Sequence, residues 1–319
     1  ALITLNTGRL SLPATNSAVA KQCLRIVRTW ARRRDQWGGP SGAQEAVAVQ
    51  VGWIAAHTFA LEAFSDYAAG LVDRGDTDIR IEAAMAKLFC SEVVFRIADR
   101  TMQIRAGRGY ETSASLKARG ETYAPPTERI FREARLNSIV EGTSEIMRLF
   151  IAREALDPHL DRLGAFADPD AGLGAKFKAL LRAAGYYPLW YLSNCIPSIG
   201  APAEVPAPLR GQWRKLRAGA RKLARRIFYA LLLHRESLEH RQAVLGRMVE
   251  EAVDLTAMAL SISRAASVGD PGATALADLF CRHAWARIHA RRAFTVGLDK
   301  ASAAVSDDVL HDKYCLLYT

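Results

Sequence analysis

The sequence lacks the patterns that indicate disulfide bonds, zinc binding or secretion. Its five cysteines are odd in number and widely scattered, without the paired spacing of a disulfide framework or a zinc site. The seven histidines include no HExxH motif, and the spacing of His283 and His289 places them on different faces of a helix. No secretory signal is visible at the start of the chain. We therefore predict no bound metal and a reducing compartment, either the cytoplasm or one like the mitochondrial matrix.

Two further patterns are nearly absent: the apolar/polar alternation of β-strands and a long apolar run. No run approaches the roughly 20 residues that a membrane-spanning helix requires. Apolar residues instead recur at spacings of three and four, as in Ile79, Ala83, Ala86 and Cys90. We therefore predict an all-α protein. Its 319 residues, 50% of them hydrophobic, are enough for two domains with separate cores.

The helical patterns divide into two groups. Four patterns of the kind that closes an up-down bundle precede residue 160, at about 10–34, 43–74, 78–104 and 143–156. Stretches rich in Gly, Asp and Pro follow, and then three more helical patterns. We predict a four-helix bundle domain at 1–160, a linker with short helices at 161–208, and a second helical bundle domain at 209–319.

A basic segment lies at the start of the second group. The chain carries a formal charge of +10, which admits nucleic acid, an anionic membrane or a polyanionic ligand as a partner. Every charged residue from Arg210 to Arg226 is basic, and apolar residues are interspersed at helical spacing. The segment is either a solvated helix face packed on its neighbours or an amphipathic helix that makes peripheral contact with a membrane. No recognised nucleic-acid-binding module accompanies it, so we expect no nucleic-acid partner.

One carboxylate, Glu141, stands at the entrance to a helical pattern. It follows the short apolar approach of Ile139 and Val140, and it precedes Gly142 and Thr143. Acidic residues are favoured in the first turn of a helix, where they meet unpaired N–H groups and the macrodipole. A partly desolvated glutamate can also accept a proton from a weak carbon acid. The local pattern alone leaves both readings open, a helix cap or a catalytic base.

Four stretches in register resemble the acyl-CoA dehydrogenase family. They are LNTGRL at 5–10, RDQWG at 34–38, QIRAGRGY at 103–110 and REARLNSIVEGTSEI at 132–146. Their order and spacing are similar to those of the C-terminal helical domain of that family, over residues 1–156. Beyond residue 160 the chain resembles, more faintly, the extra helical domain of the very-long-chain branch, which takes part in membrane association there.

The resemblance implies a catalytic role for Glu141. In the family, the residue at this position removes the α-proton of an acyl-CoA thioester while the β-carbon passes a hydride to flavin N5, and its backbone N–H helps to hold the thioester carbonyl. Gly142 would leave room for the acyl chain. Asn6 and Arg9 match positions that contact the CoA part of the substrate.

The resemblance also implies an FAD cofactor that is held at several places. Thr143 and Glu145 would touch the flavin at the start of a helix. The RDQWG stretch falls where the family contacts the FAD of a neighbouring subunit, and the QIRAGRGY stretch approaches the same diphosphate. The residues implied there are Arg34, Gln36, Trp37, Gln103 and Gly107. A homo-oligomer, either a dimer or a dimer of dimers, and an electron-accepting flavoprotein are the implied partners.

Several departures from the family pattern stand out. The first glycine of the family's QxxGGxGY loop is Ala106 here, the next variable position is Arg108, and Val140 replaces an aromatic residue before the base. The helical and β-domains that precede LNTGRL in the family are absent from the sequence. We expect the N-terminal half of the same protein or a companion chain to supply them, and we expect no activity without them. The alternative is a non-catalytic scaffold that binds a protein partner or a membrane.

Overall fold

A computed structural model describes residues 2–75, 78–167, 171–197, 200–292 and 296–313. Within those ranges the protein is all-α apart from one short hairpin, as predicted. The elements up to residue 167 are α1 (Leu2–Arg33), β1 (Asp35–Gln36), β2 (Gly39–Pro40), a 3-10 turn (Ser41–Ala43), α2 (Glu45–Asp73), α3 (Arg80–Arg105), α4 (Gly107–Tyr110), α5 (Ser113–Ala118), α6 (Thr127–Leu136) and α7 (Ser144–Ala167).

The remaining described elements are also helical. They are α8 (Leu173–Cys195), a 3-10 turn (Ala207–Leu209), α9 (Arg210–His234), a second 3-10 turn (Arg235–His240), α10 (Gln242–Val268), α11 (Pro271–Arg292) and α12 (Val296–Leu310). The segment predicted to be a linker with short helices therefore contains the 23-residue helix α8. Its apolar residues keep a helical spacing, and Gly172 lies before the helix rather than inside it. The division into domains at 160 and 208 stays a prediction.

The first bundle is held together by the apolar faces that the sequence pattern predicted. Helices α1, α2 and α3 pack side by side, and α7 closes the bundle against α3. Cys23 and Val27 of α1 are buried with Leu61 and Phe64 of α2 and with the α3 residues at the three-and-four spacing. Many of these core positions are alanines, which let the helix backbones approach closely.

Helix α2 differs from the sequence expectation. By length and composition it is apolar enough to cross a membrane, so the expectation that no stretch approaches this length was wrong. The physical reason lies in its neighbours. Helices α1 and α3 pack against it from the first bundle, and α10 and α11 pack against it from the second. A helix covered on opposite sides has little need of a polar face.

Charged residues join α10 and α11 to the helices of the first bundle. Arg148 of α7 pairs with Glu92 of α3 at 2.6 Å and with Glu250 of α10 at 2.9 Å. Arg287 of α11 pairs with Asp254 of α10 at 2.7 Å, and its guanidinium also lies 3.1 Å from the buried His57 ring of α2. These pairs lie among packed helices, so they fix which helix faces meet.

Candidate active site

Glu141 lies in a tight turn between α6 and α7. It adopts φ +57°, in the left-handed region that non-glycine residues rarely enter, and Gly142 follows at φ +102°. The Ser144 N–H closes the turn by donating to the Ser138 carbonyl at 3.2 Å. The Thr143 hydroxyl accepts from the Ile146 N–H at 3.4 Å. Thr143 thus caps α7, and the Glu141 carboxylate is left for another role.

The Glu141 carboxylate lies directly over α1. A Cβ atom added to Gly8 would lie 2.6 Å from the Glu141 Cδ and Oε1 atoms. Only a glycine at position 8 leaves room for the acid in this position. The left-handed turn and the missing side chain together bring a half-buried carboxylate onto a helix face that also carries Arg9.

Two buried cations accompany this acid. Arg9 is 6% exposed and lies over the Phe150 ring at 4.9 Å, while its Nε and Nη1 atoms have no hydrogen-bond acceptor in the described part of the chain. Lys87 of α3 is fully buried, and its Nζ donates to the Gly142 carbonyl at 2.5 Å. The combination is suited to a ligand that carries acceptor oxygens. The side chain of Asn6, predicted to contact CoA, lies outside the described residues.

Glu145 and Thr143 lie together at the start of α7. Glu145 is solvent-exposed, and the hydrogen bond from its own backbone N–H lowers the pKa of its carboxyl, with further contributions from the Thr143 hydroxyl and the nearby Arg148 and Arg135. The two residues predicted to touch flavin are therefore adjacent to Glu141 and Gly142. Their cofactor role stays a prediction.

The other predicted cofactor residues lie at the opposite end of the bundle. Arg34 and Gln36 are exposed in the β1–β2 hairpin, and Trp37 at its tip is 89% exposed. Trp37 and Gly38 both have positive φ, as a tight two-residue hairpin turn requires. Gln103 and Gly107 are exposed at the C-terminal end of α3.

The predicted site residues therefore form two separate groups, at opposite ends of the α1–α3 pair. Arg105 of α3 lies over the Trp30 ring of α1 at 4.7 Å, which joins the C-terminal ends of these two helices. Lys87, beside the Glu141 turn, is 16 residues before Gln103 on the same helix, or about 24 Å away at 1.5 Å per residue. One chain thus brings Arg9, Glu141, Gly142, Thr143 and Glu145 together, and holds Arg34, Gln36, Trp37, Gln103 and Gly107 apart from them.

Ala106 occupies a backbone conformation that suits glycine. It links α3 to α4 with φ 52° and ψ −139°, a region that side chains with a Cβ atom avoid. The following residue, Gly107, has open space around it. The departure at Ala106 therefore shows as backbone strain.

We expect the substitution Ala106→Gly to raise the free energy of unfolding by about 1 kcal/mol, because it removes this strain at some cost in chain entropy. Urea unfolding followed by circular dichroism measures the change. The control is Ala69→Gly on the exposed side of α2, which should lower stability by up to about 1 kcal/mol. A loss of stability in Ala106→Gly would show that the conformation is unstrained.

The sequence analysis did not identify three residues that lie in these two groups. Lys87 lies in the apolar spacing of α3, between Ala83 and Cys90, and a lysine at a core position was the signal that could have identified it. Gly8 lies within the LNTGRL stretch, but its role depends on a contact with Glu141 that the sequence does not show. Arg105 is fully buried, and burial lowers the pKa of its guanidinium. Among the described residues, no group of His, Cys, Asp or Glu is arranged to hold a metal ion.

Comparisons with known proteins agree with this architecture. Residues 1–156 match the family model for the acyl-CoA dehydrogenase C-terminal domain. The chain is 42% identical to the probable acyl-CoA dehydrogenase FadE10 of Mycobacterium tuberculosis, over 99% of this chain and 50% of that protein. It is 27% identical to the human mitochondrial very long-chain specific acyl-CoA dehydrogenase, over 89% of this chain and 42% of that protein.

A solved structure shares the fold. The crystal structure of acyl-CoA dehydrogenase complexed with FAD from Bacillus anthracis superposes with a TM-score of 0.64 at 22% identity, over 90% of this chain and 48% of that chain. The chain spans about half the length of the curated relatives it matches. The chain therefore belongs to the acyl-CoA dehydrogenase family, and residues 1–156 correspond to the C-terminal domain of that family.

Proposed function

We propose that this chain is the C-terminal part of an FAD-dependent acyl-CoA dehydrogenase, with Glu141 as the base that removes the α-proton of a long-chain or bulky acyl-CoA. The observation that carries the proposal is the seating of the Glu141 carboxylate over Gly8, in a left-handed turn beside buried Arg9 and Lys87. A helix cap needs none of this, and Thr143 already caps α7.

In this proposal, each residue near the turn has its own role toward the substrate. The Glu141 carboxylate takes the α-proton, and its backbone N–H donates to the thioester carbonyl, where negative charge develops as the proton leaves. The buried Arg9 guanidinium, with two nitrogens left without an acceptor, binds an oxygen of the CoA part. Gly142, at φ +102°, presents no side chain to the acyl group. The chemistry that FAD supplies when bound is acceptance of the β-hydride at flavin N5.

The separation of the two residue groups fits an FAD site built from two chains. Thr143 and Glu145 lie beside the base and would meet the flavin ring. The exposed hairpin with Arg34 and Trp37 follows the far end of α1, about 38 Å from Gly8 at 1.5 Å per residue, and we propose that it contacts the diphosphate of an FAD held by a second subunit. We therefore propose a homodimer, alone or as half of a dimer of dimers.

The proposed activity belongs to a protein longer than this chain. The relatives are about twice as long as the part that this chain matches, so we propose that a further N-terminal half or a companion chain completes the flavin and acyl sites. An electron-accepting flavoprotein would reoxidise the flavin. The test is to co-express this chain with such a half and to record visible flavin absorbance and acyl-CoA-dependent turnover. An assembled protein that neither retains FAD nor turns over acyl-CoA would contradict the proposal.

We also propose that α8, together with the basic helix α9 that follows it, makes peripheral contact with a membrane, and a specific surface favours this. In α9 the apolar residues of the basic segment, such as Leu216 and Leu223, are buried against the other helices, so the basic face is a solvated one. Exposed apolar residues lie near the end of α9, at Leu232 and Leu233, but the longest series among the described helices is on α8. Its members are Leu173, Phe177, Leu180, Leu181, Leu189, Leu192 and Ile196.

The charged residues near these exposed apolar side chains are basic, so we propose that the surface binds an anionic bilayer. Helix α8 contains Lys176, Lys178 and Arg182 and no acidic residue, and the neighbouring α9 also has no acidic residue. Basic side chains that flank an exposed apolar face place their charges near lipid headgroups while the apolar residues enter the interface. Leu189 is 72% exposed, and a surface that only faces water gains nothing from an apolar side chain at this position.

We expect the double substitution Leu189→Glu/Leu192→Glu to weaken binding to anionic phosphatidylserine vesicles by at least about tenfold, because it removes two inserted side chains and adds like charge to that of the lipid. Vesicle flotation measures the bound fraction. The matched control is Leu298→Glu/Val305→Glu, which adds the same charges at exposed apolar residues of α12. Equal flotation of wild type and the α8 variant would contradict a membrane role for this face.

A further inference from the structure

Lys87 is a charged residue in the centre of an apolar helix face. It lies on α3 among Ala84, Ala86 and Leu88, and its side chain is fully buried. Burying an ammonium group is strongly unfavourable unless nearby acceptors and charges compensate for the lost water. The partners of Lys87 therefore indicate why a lysine stands at this position.

The strongest contact of Lys87 is with the turn that carries the proposed base. Its Nζ donates to the Gly142 carbonyl at 2.5 Å, across 55 positions of sequence. The charged groups that act on it come from each element around it. Arg9 of α1 disfavours its charge, while Glu141 of the turn, Glu92 of α3 and Glu145 of α7 favour it.

The Gly142 carbonyl is the right atom to hold in order to fix this turn. Glu141 and Gly142 both have positive φ, so the peptide that follows them would be free to rotate toward ordinary values without an outside contact. Met147 of α7 packs against Gly142 from one direction, where an added Cβ would meet its Cε at 2.6 Å. Lys87 holds the carbonyl from α3.

We propose that Lys87 is a positioning residue, whose hydrogen bond to the Gly142 carbonyl holds the Glu141–Gly142 turn in the conformation that seats the Glu141 carboxylate over Gly8. The consequence for catalysis rests on the proposed function, but the consequence for the turn does not. Lys87 does not touch the reacting atoms. It acts through the backbone of the base.

A lysine that merely stabilised the fold would behave differently. Burial and the nearby Arg9 lower the pKa of Lys87 from 10.5 to about 8. The unfolded chain therefore holds this proton more tightly than the folded chain, and the charged Lys87 disfavours folding below pH 8. That cost is relieved as the pH rises from 8 to 10.5. Replacement by an apolar residue of similar length should leave global stability at pH 7 unchanged or higher.

The test is Lys87→Met, which keeps the buried length and removes the ammonium, in this chain as it stands. We expect the melting temperature at pH 7 to be unchanged or raised, and the pH-dependent gain in melting temperature between 8 and 10.5 to shrink. Hydrogen exchange in the peptide 137–147, which includes the Ser144 N–H that closes the turn, should become about tenfold faster, as expected for the loss of one charge-assisted hydrogen bond. Exchange in the core of α10 should not change.

The matched control is Lys21→Met, which removes an ammonium that pairs with Glu62 at 2.5 Å, away from the turn. It should leave exchange in 137–147 unchanged. The proposal would be overturned if peptide 137–147 of the Lys87→Met variant exchanged hydrogen at the same rate as in the wild type. Faster exchange spread equally over 137–147 and α10 would overturn it as well, because that result indicates a global structural role. If Lys87→Met does not fold, Lys87→Gln, a neutral donor one bond shorter, is measured by the same exchange criterion.

In the assembled enzyme, Lys87→Met should lower kcat by at least about tenfold with little change in KM, because a displaced base affects the chemical step more than binding. The two proposals can fail separately. Faster exchange in 137–147 together with an inactive wild type contradicts the enzymatic function and leaves the positioning role supported. An active wild type with unchanged exchange and kcat in Lys87→Met contradicts the positioning role alone.

Discussion

The substitution Glu141→Gln is expected to lower acyl-CoA dehydrogenation by about 10²- to 10⁴-fold in the assembled protein, the range typical of removing a general base. Glutamine keeps the shape of the side chain and its place over Gly8. It cannot accept the α-proton. Thr143, Glu145 and the distant hairpin are unchanged, so we expect FAD to remain bound. Steady-state turnover and the flavin absorbance of the purified protein measure the two quantities independently.

The matched control for this prediction is Glu133→Gln on α6. Glu133 is an exposed carboxylate that pairs with Arg129 at 2.6 Å, four residues earlier on the same helix. Its loss should leave turnover and flavin content unchanged, since exposed pairs contribute little to stability. Wild-type turnover in Glu141→Gln would remove the catalytic assignment and favour the alternative of a non-catalytic scaffold.

The second large effect is expected from Gly8→Ala, a change of one methyl group on α1. The added Cβ would lie 2.6 Å from the Glu141 carboxylate, so the carboxylate must move. The atoms that must move are the end of a flexible side chain, and alanine is a better helix former than glycine by up to about 1 kcal/mol. We therefore expect stability to be unchanged or higher while turnover falls about 10²-fold, the effect of a base misplaced by about 1 Å.

Gly70→Ala on α2 provides the control for Gly8→Ala. It is also a helical glycine, and an added Cβ there meets nothing within 4 Å. It should gain stability to a similar extent and keep full turnover. The two variants are therefore compared in two measurements on the same preparations: kcat for turnover and the urea midpoint for stability. We expect both variants to be at least as stable as wild type, and only Gly8→Ala to lose turnover. Full turnover in Gly8→Ala would show that the carboxylate does not need its place over α1.

The architecture follows largely from local patterns in the sequence. The three-and-four spacing through Ala83, Ala86 and Cys90 predicted a helix with this buried face, and α3 has it. Glu141 could be singled out because four separated stretches resembled one family. Its local pattern alone favoured a helix cap.

What the sequence left undetermined depends on contacts between distant positions. The bond from Lys87 to Gly142 and the contact of Gly8 with Glu141 each join residues that no local pattern connects. The sequence left open whether the apolar residues of α9 pack on neighbouring helices or face a membrane. Leu216 and Leu223 are buried in the structure, and exposed apolar residues are more numerous on α8. Helix α2 reads as long and apolar because both bundles cover it.

The central claim is that Glu141 removes a proton from the α-carbon of an acyl-CoA. The most direct test mixes the flavin-loaded, assembled protein with ordinary or α-deuterated acyl-CoA in a single turnover and follows loss of flavin absorbance. We predict rapid bleaching by wild type that slows with α-deuterium, and essentially no bleaching by Glu141→Gln with its flavin bound. Bleaching of Glu141→Gln at the wild-type rate, with the same response to deuterium, would contradict the account.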